Sequence, residues 1–146
     1  MNSRLAGIDD FGFRFWILEG ETVDEQAFKQ RTKQFALRSI RLVGGASSDP
    51  GFRHHGRQFL RCATPVGANY RAACRGKSLA DVIAKLAIVE EETDEALYWL
   101  ELISDSGLMP TDRVADLKKE ADELTAMVVA SIKTLRKRKN TSPEGV

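Results

Sequence analysis

The chain has 146 residues, 42% of them hydrophobic and 29% charged, and a net charge of +1; this composition suits one globular domain that buries its own core. It has no apolar run near the roughly 20 residues that cross a bilayer. Asp9 and Asp10 precede the apolar patch Phe11–Leu18, the reverse of a secretory leader, so a cytoplasmic protein without a membrane partner is expected. Charge is uneven: residues 1–77 carry thirteen Lys/Arg against seven Asp/Glu, and residues 78–146 carry nine against fourteen. Such a division suits contacts between oppositely charged helices or subunits, or with an external polyanion.

Residues 1–23 are expected to form a flexible or loosely packed extension. Phe11, Phe13, Phe15 and Ile17 alternate with Gly12, Arg14 and Trp16, which fits a short strand, but a lone strand has nothing to pair with in a helical chain. A native start near Val23 is the other reading of this segment. The first helix is expected over Asp24–Val43, capped by Asp24. Phe28, Thr32, Phe35, Ser39 and Leu42 recur at three- and four-residue steps, and Ala36 and Ile40 widen the stripe. Gly44-Gly45 ends it, and a connection follows to Gly51.

A second helix is expected over Gly51–Arg75, its apolar side traced by Phe52, Gly56 or Phe59, Cys62 or Ala63, Val66, Tyr70 and Ala73. Pro65 lies inside it and predicts a kink, because proline removes an amide donor and clashes with the preceding turn. The third helix, Ser78–Ser104, begins on Ser78 with Asp81 three residues on, the spacing of a capping box. Leu79, Leu86, Thr93 and Leu100 form one seven-residue series; Val82, Val89, Ala96 and Ile103 form a second, and Ile83, Glu90 and Leu97 adjoin them. Gly107 stops that helix. A fourth starts after Pro110 and buries Val114, Leu117, Ala121, Leu124, Val128, Ser131 or Ile132, and Leu135. Its acidic start and basic Arg136-Lys137-Arg138-Lys139 end suit the helix dipole. The expected fold is therefore all-α, an antiparallel up-and-down four-helix bundle over residues 24–139, with a flexible tail over 140–146.

No motif carries chemistry by itself. Glu90, Glu91, Glu92, Asp94 and Glu95 invite a metal or acid–base role, but a dimetal carboxylate bundle needs Glu-x-x-His pairs. The two histidines, His54 and His55, are adjacent and not so placed. Cys62 and Cys74 lie about 18 Å apart along one helix, too far for a disulfide, and read as small buried hydrophobes. Glu90 shares the apolar face and would need a cation such as Arg71, Arg75 or Lys85. No catalytic residue, metal ligand or cofactor is assigned. The functional signal that remains is basic: Arg53, Arg57, Arg61, Arg71, Arg75 and Lys77 on the second helix, with Arg136, Lys137, Arg138 and Lys139 as a second patch. Such patches bind RNA or DNA with salt-dependent, sequence-tolerant affinity.

The run from Thr64 to Ser78, with Val66, Gly67, Asn69, Tyr70, Arg75 and Ser78, followed by Lys85, Leu86, Glu91, Glu95 and Trp99-Leu100, resembles the four-helix bundle proteins associated with 23S rRNA intervening sequences. Pro65 replaces a commoner serine, and Gly76 stands where alanine is frequent. The resemblance covers about residues 24–138 and extends to the accessory proteins of diversity-generating retroelements. It implies a non-enzymatic bundle assembled into a homo-oligomer, often a pentamer, that can contact RNA, DNA or a protein partner. It also implies that Asn69 and Arg75 order the junction between helices two and three, while Glu91 and Glu95 pair with cations. The alternative class is a small-molecule or metal-dependent catalytic bundle with an unrecognised pocket.

Overall fold

Asp24 caps the first helix, α1 (Glu25–Gly44), by accepting from the Ala27 amide at 2.7 Å. The computed structural model describes residues 15–18, 21–46 and 49–141, with side chains from Asp24 onward. Phe28, Thr32, Phe35, Ser39 and Leu42 are the buried positions of α1. The two hydroxyls on this stripe are satisfied within the helix: Thr32 donates to the Lys29 carbonyl at 3.0 Å and Ser39 to the Phe35 carbonyl at 2.7 Å. Ala36 is half-buried. Ile40, expected to widen the stripe, is instead 48% exposed, because the buried arc of α1 is only one residue wide at each turn.

The second helix is interrupted where the proline predicted a kink. It forms α2 (Pro50–Ala63) and α3 (Pro65–Cys74), with Thr64 between them. Thr64 keeps helical angles, and both its amide (3.1 Å) and its hydroxyl (2.7 Å) donate to the Leu60 carbonyl. The interruption is one residue long, and both halves pack on the same neighbouring helices. Asp49 caps α2 through the Gly51 amide at 2.7 Å, a role not read from the sequence.

α4 (Leu79–Asp105) starts as expected: Ser78 accepts from the Asp81 amide at 3.1 Å. The Asp81 carboxylate returns to the Lys77 amide and to Lys85 Nζ, each at 2.9 Å, and these partners hold it below its ordinary pKa. Val82, Leu86, Val89, Thr93, Ala96, Leu100 and Ile103 are buried, so two heptad series face the core; Ile83, Glu90 and Leu97 sit half-buried at its edge. The helix ends in a Schellman turn. Leu108 N–H reaches the Ile103 carbonyl and Gly107 N–H the Ser104 carbonyl, with Gly107 at φ +77°, the left-handed angle that glycine takes without strain.

α5 (Thr111–Thr141) carries every inward position expected of it, and adds Met127. It continues through Asn140 and Thr141, which had been assigned to a flexible tail; residues 142–146 lie outside the described ones. α4 packs on α5 and on both halves of the broken helix, while α1 closes the remaining sides against α2, α3 and α5. The result is the expected all-α four-helix bundle. Phe28 against Tyr70 (centroids 4.5 Å) and Phe35 edge-on to Phe59 (6.5 Å, 89°) tie α1 to the broken helix. Between α4 and α5, Thr125 donates to Thr93 at 2.9 Å and Thr93 to the Glu90 carbonyl at 3.0 Å.

The N-terminal strand does find a partner. β1 (Phe15–Leu18) pairs antiparallel with β2 (Glu21–Asp24), with Phe15 opposite Asp24 and Leu18 opposite Glu21. The partner that a strand in this segment needs is β2, the segment that leads into α1. The hairpin's first strand lies alongside α5. Residues 1–14 lie outside the described residues.

Candidate functional site

Two places on the described surface gather chemistry. The first is a cleft of about 690 Å³ between α1 and α3, within the size range of small-ligand pockets. Lys29, Lys33, Arg71 and Arg75 supply its charge, Gln26 and Gln30 its polar rim, and Ala36, Gly67 and Ala68 its small floor. No carboxylate lines it; Lys29 is drawn toward Glu25 at 2.7 Å. Gly67 lets α3 approach α1 closely at this floor, because a Cβ there would stand 3.1 Å from Thr32 Oγ1.

This cleft divides the basic residues singled out in the sequence. Arg71 and Arg75 line it, joined by Lys29 and Lys33 of α1. Arg53, Arg57, Arg61 and Lys77 are exposed but not part of it, and Arg136, Lys137 and Lys139 are exposed near the end of α5, with Arg138 half-buried. Arg31 is half-buried between α1 and α5. It reaches Glu120 through Nε at 2.7 Å and also binds Glu123. Burial pulls its pKa down, but the two carboxylates together hold it above the ordinary value.

Among the described residues, Glu90 and Glu91 form no ion pair: Lys85 is taken by Asp81, one helical turn away, and Arg71 and Arg75 face the α1 side. Asn69 is half-buried and makes no side-chain hydrogen bond among the described residues. Arg75 is the C-cap of α3, its amide donating to the Ala72 carbonyl at 3.1 Å; the Gly76 amide donates to the Ala73 carbonyl at 2.9 Å, and Ser78 and Asp81 complete the α3–α4 junction.

The second place is the seam of α2 and α4. Cys62, in the last turn of α2, faces Glu92 and Glu95 of α4, and one ligand atom from each of the three lies within 4.8 Å of the others. Cys62 is 4% exposed, Glu92 half-buried and Glu95 exposed. Burial pushes the Cys62 thiol up to about 12, and the Glu95 and Glu92 charges add to it. Burial likewise raises the Glu92 carboxyl, helped by Glu95 and Glu91. Trp99 Nε1 donates to Glu95 at 3.4 Å, and its ring meets His55 edge-on at 5.8 Å. His55 Nδ1 in turn lies 2.8 Å from the Gly51 carbonyl.

The sequence reading treated Cys62 as a small buried hydrophobe and Glu92 and Glu95 as members of an acidic run. Nothing local could have joined them, because they lie thirty residues apart on two helices. The usable signal was that Cys62, Glu92 and Glu95 each border an apolar stripe. Cys74 has no such surroundings; burial, then Glu25, raises it to about 12.

No helix among the described residues is long and apolar enough to cross a membrane. Comparison with curated proteins finds no match. Among solved structures, a protein of unknown function from the S23 ribosomal protein family of Bacteroides thetaiotaomicron is similar over 75% of this chain and 97% of its own, with 28% identity and a TM-score of 0.69. The family profile described as 23S rRNA-intervening sequence protein matches residues 24–130. These comparisons support that family and not the narrower likeness to retroelement accessory proteins. A profile match over all four helices, with a relative of the same fold along nearly its whole length, places this chain in the 23S rRNA-intervening sequence protein family.

Proposed function

We propose that this bundle binds a divalent metal ion at the α2–α4 seam, and that any chemistry it performs depends on that ion. The observation that carries the reading is the convergence of Cys62, Glu92 and Glu95 from two helices within 4.8 Å. Three protein donors leave a fourth tetrahedral position for water or a ligand, the arrangement of catalytic more than of structural zinc. A bound cation would also relieve the mutual repulsion of two neighbouring carboxylates. Equilibrium dialysis of chelator-treated protein against Zn2+ tests this. One ion per chain is expected, with affinity at least tenfold weaker in Glu95→Gln. Equal affinity in the variant, or no uptake, would remove the reading.

A second reading, a homo-oligomeric scaffold that contacts RNA or DNA, is favoured by the α1–α3 cleft with its four cations. Its support is less direct, since a cationic cleft equally suits an acidic face of a neighbouring copy, and α4 exposes Glu91, Asp94 and Glu95. A pentameric ring built head to tail would use both faces. Binding of single-stranded RNA is expected to weaken steeply between 50 and 200 mM salt. The double variant Lys33→Glu/Arg71→Glu should lose it. Light scattering beside the binding measurement separates the two uses of the cleft. A variant that falls to monomers assigns the cleft to assembly, and one that keeps its mass while losing RNA assigns it to the polyanion.

A further inference from the structure

We infer that the cation held by Cys62, Glu92 and Glu95 is a borderline transition ion bound through the sulfur, of the Zn2+ or Co2+ class and not of the Mg2+ or Ca2+ class. The inference rests on the metal-binding reading above and adds the identity of the ion. The donor set decides it. A thiolate selects zinc-like ions, whereas Mg2+ and Ca2+ want six or more oxygen donors. Among the described residues, the cluster offers two carboxylates and no further acidic or histidine ligand.

The geometry sets which donor stays and which ones move. Zn–S near 2.3 Å and Zn–O near 2.0 Å place tetrahedral donor atoms roughly 3.3–3.5 Å apart, so donors within 4.8 Å of one another need to close by at most about 1.5 Å. Cys62 is fixed by burial, at 4% exposure. Glu92 is half-buried and Glu95 exposed, and neither is held in an ion pair among the described residues. The carboxylates can therefore swing onto an ion seated against the sulfur. Trp99 Nε1, already on Glu95, would orient that ligand from outside, as partners of metal-bound carboxylates do.

Titration of the apo full-length protein with Co2+ tests the inference. Saturation at one equivalent is expected, with a sulfur-to-cobalt charge-transfer band and intense tetrahedral visible bands. Zn2+ should abolish both, while a hundredfold excess of Mg2+ or Ca2+ should leave them. Cys74→Ser should keep the charge-transfer band and Cys62→Ser should lose it, with circular dichroism reporting the fold of each. Should Cys62→Ser unfold, Glu92→Gln/Glu95→Gln carries the test, because its substitutions are not in the core and should weaken Co2+ at least tenfold. Co2+ uptake without a charge-transfer band would overturn the sulfur ligand while leaving a metal-binding bundle. No uptake of any of the four ions would overturn both.

Discussion

Phe35→Ala is expected to lower the unfolding free energy by about 3–5 kcal/mol, the range for deleting a buried phenylalanine ring. Phe35 is fully buried on α1 and meets Phe59 edge-on at 6.5 Å. The loss therefore combines removed apolar area, an unfilled cavity and an aromatic pair worth roughly 1 kcal/mol of its own. For a chain of this size that corresponds to a melting temperature lower by about 6–20 °C. Ile40→Ala on the same helix supplies the contrast. Ile40 is 48% exposed, and its truncation should change stability by less than about 0.5 kcal/mol. Urea denaturation of both variants measures the difference, and comparable losses would mean that α1 is rotated from the arrangement described.

Gly76→Ala should destabilise by about 1–3 kcal/mol, the usual cost of overpacking. A Cβ at this position would lie 2.3 Å from Val82 Cγ2, 3.1 Å from the Ala73 carbonyl oxygen and 3.2 Å from the Val82 amide nitrogen. Space and not backbone angle is the constraint. Val82 is itself 1% exposed in the first turn of α4, so it can move only by disturbing the core or the α3–α4 junction. A double-mutant cycle with Val82→Ala, read by thermal unfolding, should recover part of the loss. An unchanged melting temperature in Gly76→Ala would show that the junction relaxes freely.

The boundaries of the four rods were legible because their signals are local. Asp24 and Ser78 accept the amides their positions predicted, and Gly107 takes the left-handed angle that ends α4. Pro65 interrupts the second helix because it has no amide to donate, and Thr64 bonds back to the Leu60 carbonyl across the break. Periodicity failed at Ile40, where it could name a stripe but not its width. It was also silent on β2, whose pairing with β1 places Glu21–Asp24 beside a strand thought to have no partner.

Charge was the least legible property. Arg31 and Lys29 flank the buried stripe of α1 on opposite sides, and Arg31 is locked to Glu120 and Glu123 of α5 while Lys29 lines the cleft beside Arg71. Which cation meets which carboxylate depends on how neighbouring helices are rotated about their axes, and one helix's repeat holds no information about the next.

The amino-acid order alone thus determined an all-α chain, the place where each helix starts, bends and stops, and nearly every side chain in the core. Those features follow from hydrogen bonds and burial repeating within a few residues. Only the packed bundle decided that Lys29 and Lys33 join Arg71 and Arg75, and that a thiol at position 62 faces carboxylates at 92 and 95. Such meetings are set by contacts between helices, which distance along the chain does not encode.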